Sequence, residues 1–290
     1  MASYRYQIFV PGGNKTALVL GVDGRNADSA LRKTIQDRIF AKHKRDADGE
    51  VEQVGFISTE KFVPKLFMTG GEFCGNATRS AAAYYLWGAR GGNVEIKVSG
   101  AKKPVKAGLS AKGALFEAWA DMPLPGDLFT AVTPLKGGLY WITIEGISHL
   151  IVPQVQSMPF LNKILSCENN DARVNIAIEF LKNTINENYL SIDKACGIIF
   201  LENIADMLKM HPFVHVLTAD TAYYETACGS GAMCVGLFSC FLCRESVNIP
   251  LIQPSGKIIR VGVKYADVGI LMNGRISGEI QIGETGEVTI

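Results

Sequence analysis

Two short stretches set a cysteine and a glycine in front of a long apolar run. In "GGEFCGNATRSAAAYYL" (70–86) Cys74 precedes Gly75 and Asn76, and in "YYETACGSGAMCVGLFSCFLC" (223–243) Cys228 precedes Gly229 and Ser230. Glycine directly after a cysteine lets a ligand come close to the backbone. If each apolar run is a helix, the amides of Asn76 and Ser230 lie in its first turn and have no intrahelical acceptor. Such a terminus carries partial positive charge and binds carboxylates or phosphates. The same field favours a thiolate and draws the cysteine pKa toward neutrality. Two such thiols brought to one cleft suit one task in particular. A base removes the proton from one face of a weak carbon acid while an acid delivers one to the opposite face, and the roles swap with direction. The helix ends would then hold an α-carboxylate and spread the charge that develops on it, and small movements of the two halves could close the cleft against water.

The elements that must carry these thiols repeat. The cysteines lie 154 positions apart, and "VEIKVSG" (94–100) and "PLIQPSG" (250–256) correspond downstream, their final glycines 156 apart. Two landmarks at nearly equal offsets indicate a duplicated unit. Around them the chain reads mostly as short strands between Gly and Pro turns: "YQIFV", "TALVLGV", "QVGFI", "KLFMT", "VEIKVS" and "ALFEAWADM" in the first half. "YWITIE", "SHLIVPQV", "GIIFLE", "FVHVLTA", "PLIQP", "IIRVGVKY" and "ISGEIQIG" follow in the second. Residues 28–40 and 172–185 have helical patterns. The segments after the two cysteines are apolar on nearly every face, which marks helices surrounded by protein. The expected architecture is α+β, with two pseudo-symmetric domains, each a curved mixed β-sheet or barrel around a central α-helix. The first domain spans 1–122 and carries Cys74, with a strand at about 276–290 returning to it. The second spans 123–275 and carries Cys228, the break falling near "DMPLPGD" at 121–127.

Composition limits the function classes. With 290 residues, 48% hydrophobic and 20% charged, a sizeable core forms. A net charge of +1 gives no electrostatic case for nucleic acid or an anionic membrane. The mixed-sign "KHKRDAD" at 42–48 reads as a solvated loop. The first residues, "MASYRYQIFVPGG", lack the apolar core of a signal peptide, and the longest apolar runs, 80–87 and 231–242, fall short of the roughly 20 residues a spanning helix needs. A cytoplasmic protein is expected, its seven cysteines reduced. Cys240 and Cys243 form a C-x-x-C late in an apolar helix, where buried packing is the expectation rather than redox or zinc chemistry. His211 and His215 read as strand or turn residues without a metal.

"FCGNAT" (73–78) and "ACGSGA" (227–232) resemble the two catalytic-cysteine motifs of the diaminopimelate epimerase-like family of cofactor-independent racemases. "PGGNKT" (11–16), "EQVGFI" (52–57) and "GISHLIV" (146–152) resemble that family's Asn, Gln and Gly-Asn-Pro-His segments, so the likeness runs from about residue 8 to the C-terminus. Within the family, "MTGGEFCGNAT", "KVSG", "YYETACGSG" and "QPSG" look most like the histidine racemases that supply D-histidine for opine-type metallophores such as staphylopine. That subgroup has a glutamate three residues before its second cysteine, where Glu225 stands. It has an asparagine where this chain has Gly71.

The resemblance implies an isomerase that needs no cofactor and no metal and inverts Cα of an amino acid, histidine first. Cys74 and Cys228 would be the acid/base pair. Gly75, Asn76, Gly229 and Ser230 would supply carboxylate-binding amides, and Asn14, Gln53 and His149 would contact substrate or shape the pocket. Glu72 and Glu225 either hold the α-ammonium or imidazole or favour a helix N-terminus. Diaminopimelate is disfavoured: "ADTAYYETAC" lacks the arginine that grips the distal end of that substrate, Ile147 replaces an asparagine, and Gly197–Phe200 lacks another. Diaminopimelate epimerase and a proline-type racemase remain the enzymatic alternatives, and a module that merely binds small carboxylates is the non-enzymatic one. Arg79, a charge entering an apolar helix, ties it either to the sheet or to a second subunit, which leaves a homodimer open.

Overall fold

The computed structural model describes residues 1–44, 46, 49–217 and 221–290. Arg45, Ala47 and Asp48 of the "KHKRDAD" cluster and Thr218 and Ala219 at the end of "FVHVLTA" lie outside the described residues. The chain divides into two compact units: Met1–Asp121 with Ser277–Ile290, and Met122–Ile276.

In the first unit, β1 (Ser3–Pro11) and β2 (Thr16–Leu20) form an antiparallel hairpin, and α1 (Ser29–His43) crosses over to β3 (Gln53–Glu60), which runs parallel to β2. β4 (Val63–Met68) returns antiparallel to β3. The chain then enters α2 (Gly75–Leu86) and leaves into β5 (Gly91–Val98), parallel to β4, followed by antiparallel β6 (Val105–Lys112) and β7 (Leu115–Asp121). The unbroken apolar runs of β2 and β3 reflect parallel strands covered on both faces. On one face Ile35 and Ile39 of α1 pack against Tyr6, Ile8, Val19 and Phe56. On the other α2 touches every strand from β1 to β7. Gly75–Ala83 of α2, mostly small residues with Arg79 among them, are all buried, so the sheet approaches the helix on every side.

The second unit repeats this order. After α3 (Leu128–Ala131) and β8 (Val132–Pro134), β9 (Tyr140–Ile144) and β10 (Ile147–Val152) form the hairpin. Helices α4 (Gln154–Leu165) and α5 (Asn170–Glu187) cross over to β11 (Ala195–Ile204), parallel to β10. β12 (Met207–Val216) returns antiparallel to β11 and carries the short β13 (Thr221–Tyr224). Helix α6 (Gly229–Cys243) leads into β14 (Val247–Ile252), parallel to β12, and β15 (Ile258–Tyr265). β16 (Leu271–Thr289) starts in this unit, and its later residues pair antiparallel with β1, Ile280 opposite Pro11 and Thr289 opposite Ser3. Gly236 lets α6 lie on the sheet: a Cβ there would stand 2.4 Å from Cγ1 of Val261.

Two sequence expectations need correction. "SHLIVPQV" ends as a strand at Val152, and Pro153 caps a helix that the pattern did not reveal; Leu161 and Ile164 of α4 join Val174, Ala177 and Leu181 of α5 over Phe200 and Phe213. Of the C-x-x-C pair only Cys240 is buried. Cys243 is exposed, because α6 stops there with Arg244 in the left-handed region, φ 59°. His211 lies in β12, its ring bonded to Tyr224 and Glu202.

Candidate active site

Each cysteine caps its helix, with nearly the same backbone. Cys74 has φ −132° and ψ 113°, Cys228 φ −125° and ψ 111°, both extended. This turns the thiol back over the first turn. The Ala77 N–H donates to Cys74 Sγ at 3.3 Å, and the Gly231 N–H donates to Cys228 Sγ at 3.3 Å. A sulfur takes the part that Ser, Thr or Asp plays at most N-caps. Gly75 and Gly229 are the first residues of the helices, Asn76 and Ser230 the second. Both thiols are buried, Cys74 8% and Cys228 2% exposed.

In the first unit, Cys74 Sγ donates to Oε1 of Gln53 at 2.8 Å. Gln53 opens β3 and pairs with Thr16, whose hydroxyl donates to Oδ1 of Asn14 at 2.8 Å. The Asn14 amide donates to Oε2 of Glu52 at 2.8 Å. Buried and half-buried polar contacts at the β1–β2 turn and strand pairing at Thr16 thus place Gln53 against the thiol. Glu72 is buried, and its carbonyl accepts from Ser99 Oγ at 2.7 Å, while that hydroxyl accepts from the Met68 N–H. Gly100 makes this contact feasible, since a Cβ there would stand 2.4 Å from the Phe73 nitrogen. Gly71, where the resembled subgroup has asparagine, has φ +76°. Asparagine is among the few other residues that adopt this conformation readily, so the exchange keeps the backbone turn. Arg79 is fully buried, and its Nη2 donates to Oδ1 of Asn76 at 2.8 Å. Of the two alternatives the sequence left open, full burial removes the contact with a second subunit, and the hydrogen bond runs to Asn76 of the same helix.

In the second unit, Ser230 Oγ lies 3.0 Å from His149 Nε2 and 3.5 Å from Cys228 Sγ. His149 stands on β10 opposite Gly197 of β11 and is fully buried. Burial pushes its pKa down to about 3, so the imidazole is neutral. Glu225, also buried, follows β13, with its N–H on the Pro212 carbonyl at 3.1 Å. Cys228 departs from the sequence expectation. Its pKa is pushed well up, first by burial and then by the charge of Glu225 and a hydrogen bond with it. The Ser230 and Gly231 bonds pull the other way and are outweighed.

The structure therefore brings Gln53 to Cys74 and brings Glu225 and Ser230, with His149 behind Ser230, to Cys228, while Gly75, Asn76 and Gly229 lie in the capped first turns. Asn14 bonds to Thr16 and Glu52, and the Glu72 carbonyl bonds to Ser99. Sequence reasoning passed over Glu52, Ser99, and Gln253, whose Oε1 accepts the Cys228 N–H at 3.0 Å. Ser99 and Gln253 both belong to the repeated "KVSG" and "QPSG" landmarks, which was the signal available. Among the described residues no group of three or more His, Cys, Asp and Glu could hold a metal ion, and no helix is long and apolar enough to cross a membrane.

The family described as "Histidine racemase CntK N-terminal domain" matches residues 5–289. A histidine racemase from Fusobacterium nucleatum subsp. nucleatum (strain ATCC 25586) is 30% identical over 283 residues, covering 92% of this chain and 93% of that one. That of strain ATCC 23726 is 30% identical over 286 residues, covering 92% and 94%. Among solved structures, a hydroxyproline epimerase from Agrobacterium vitis with bound trans-4-hydroxy-L-proline has a TM-score of 0.66, at 12% identity over 99% of this chain and 92% of its own. A Bacillus anthracis phenazine biosynthesis protein of the PhzF family has a TM-score of 0.64, at 13% identity over the whole of both chains. These two share the fold expected from the sequence. Matched along nearly its full length, the chain belongs to the histidine racemase family and is an amino-acid racemase.

Proposed function

We propose that this enzyme converts L-histidine to D-histidine without a cofactor, using Cys74 and Cys228 as an acid/base pair. The observation that carries this reading is the repeated cap geometry, in which each sulfur lies 3.3 Å from the third amide of a buried helix. One thiolate takes the Cα proton and the other thiol gives a proton to the opposite face. The amides of Gly75, Asn76, Gly229 and Ser230 hold the α-carboxylate and stabilise the charge that builds on it. Glu72 and Glu225 take the α-ammonium or the imidazole, and Asn14, Gln53 and His149 shape the pocket. Histidine comes first because the two relatives are histidine racemases. The free cysteines suit a reducing cytoplasm, and the "YYETACGSG" and "QPSG" likeness to the metallophore subgroup suggests that D-histidine goes on to an opine-type metallophore.

Incubation with L-histidine in deuterated water should give D-histidine labelled at Cα. Label entering diaminopimelate or proline but not histidine would overturn the substrate. Cys74→Ala and Cys228→Ala should each abolish inversion, and full activity in either would overturn the two-thiol chemistry. Binding of histidine with no exchange at all would point to a carboxylate-binding module instead.

A further inference from the structure

Arg79 is the single charged residue of α2, and its side chain is wholly buried. Nη2 is held by Asn76, one turn back toward the helix start, as expected for a long helical side chain leaning toward the N-terminus. Nε and Nη1 have no hydrogen-bond partner among the described residues. A buried guanidinium with unpaired N–H groups is costly, and folds keep one where a negative charge compensates it. Burial pulls the Arg79 pKa down to about 10, against two charges that support it: Cys74 as thiolate, and Glu117 of β7. Glu117 already has a cation of its own in Lys112, which leaves the sulfur.

The matching helix of the other half has no such cation. The position equivalent to Arg79, 154 residues on, is Met233, fully buried. Helix α6 carries no charged residue at all, and the charge nearest in effect to Cys228 is the carboxylate of Glu225. A buried cation five residues along its own helix acts on Cys74, whereas a buried anion three residues before it acts on Cys228.

We propose that Arg79 is a positioning residue that fixes Asn76 and holds Cys74 as the thiolate of the resting enzyme, so that Cys74 starts as the base and Cys228 as the acid. The inference rests on the acid/base reading of the two cysteines. In the forward step the Cα–H bond breaks toward Cys74 sulfur, forming its S–H. The carbon keeps the electron pair and takes the Cys228 proton on its opposite face, leaving a thiolate there. The reverse reaction or proton exchange with solvent restores the starting form. Gln53 serves both states of Cys74, since its amide accepts from a thiol and, turned over, donates to a thiolate.

Alkylation by iodoacetamide, resolved by peptide mass spectrometry across a pH series, tests this without any amino-acid substrate. In the wild-type enzyme the Cys74 profile should rise at lower pH than that of Cys228, and the reverse order would overturn the proposal. Arg79→Met, which installs the residue of the other half, should move the Cys74 profile up by about one pH unit or more, slowing its reaction near neutrality about tenfold. Arg79→Lys, which keeps the charge, should restore most of it, and the Cys228 profile should not move in either. A Cys74 profile unmoved in folded Arg79→Met, or both profiles moving together, would also overturn it. Failure of the deuterium experiment alone would leave these profiles standing, so the two readings fail separately.

Discussion

Gly197→Ala is the sharpest test of the chain from His149 through Ser230 to Cys228. A Cβ at position 197 would stand 2.4 Å from His149 Nδ1, 2.7 Å from its Cε1 and 2.8 Å from the Phe213 carbonyl oxygen. Comfortable contacts between such atoms lie at about 3.5–4.0 Å, so something must retreat by about 1 Å. The Phe213 oxygen belongs to β12, locked to β11 by pairs from Ala195↔Val216 to Ile204↔Met207. The His149 ring must give, and with it the 3.0 Å contact to Ser230, while the 2.8 Å approach to the Phe213 oxygen also strains the β11–β12 pairing. Forcing one methyl into a packed core costs about 1–3 kcal/mol, against a typical total of about 5–15 kcal/mol, so the variant stays folded. A catalytic group displaced by about 1 Å loses on the order of 100-fold in rate. Urea unfolding should show the modest loss, and chiral chromatography of D-histidine formation should show the large one. Gly262→Ala is the control, since nothing lies within 4 Å of a Cβ there. Wild-type turnover with a wild-type unfolding midpoint in Gly197→Ala would refute the packing argument, and equal loss in Gly262→Ala would show that the effect is not specific to His149.

His149 titrates near 3 in the fold and near 6.5 when unfolded. The unfolded chain therefore binds the extra proton first, and the stability this histidine contributes, intact above pH 6.5, is lost as pH falls toward 3, by up to about 1.4 kcal/mol per pH unit. His149→Gln should flatten that acid limb in urea titrations, and an unchanged slope would refute the assignment. Glu225→Gln removes a charge that raises the Cys228 pKa, so Cys228 alkylation should shift to lower pH; a shift to higher pH would contradict the sign. Gly71→Asn should unfold within about 0.5 kcal/mol of wild type, whereas Gly71→Val at φ +76° should lose about 1–2 kcal/mol; equal stabilities would show that the positive φ carries no constraint.

How much of this was legible in the sequence depended on how far each signal reached along the chain. The two capped helices were readable because cap, glycines and apolar run are contiguous. The parallel strand after each crossover was not visible as such, but its unbroken apolar run was. Helix α4 was missed because Pro153 and Pro159 break the pattern that would announce it, although Pro153 only caps the helix and the Ser157 hydroxyl inside it bonds to the Leu201 carbonyl of β11. The state of Cys228 was out of reach: it depends on burial and on the charge of buried Glu225, and no helix-dipole argument includes either. His149 and Ser230 are 81 residues apart, and only the β10–β11 register and the α6 cap together make them neighbours. The Arg79 charge was visible, but its surroundings were not.

The duplication thus conserves a backbone device and varies the electrostatics around it, and that asymmetry is compatible with a symmetric reaction. Two enantiomers have equal free energy, so kcat/KM must be the same in both directions whatever the thiols prefer. If Arg79 makes the Cys74 thiolate the common resting form, the rarer form with the proton on Cys74 must react faster in proportion to its scarcity. The preference is therefore invisible in kcat/KM ratios and shows in the separate kcat and KM values for each enantiomer. Arg79→Met should lower kcat/KM equally for L- and D-histidine while changing the two KM values unequally. Unequal kcat/KM for the two enantiomers would signal an unaccounted reactant, because no arrangement of charges around two cysteines can produce it.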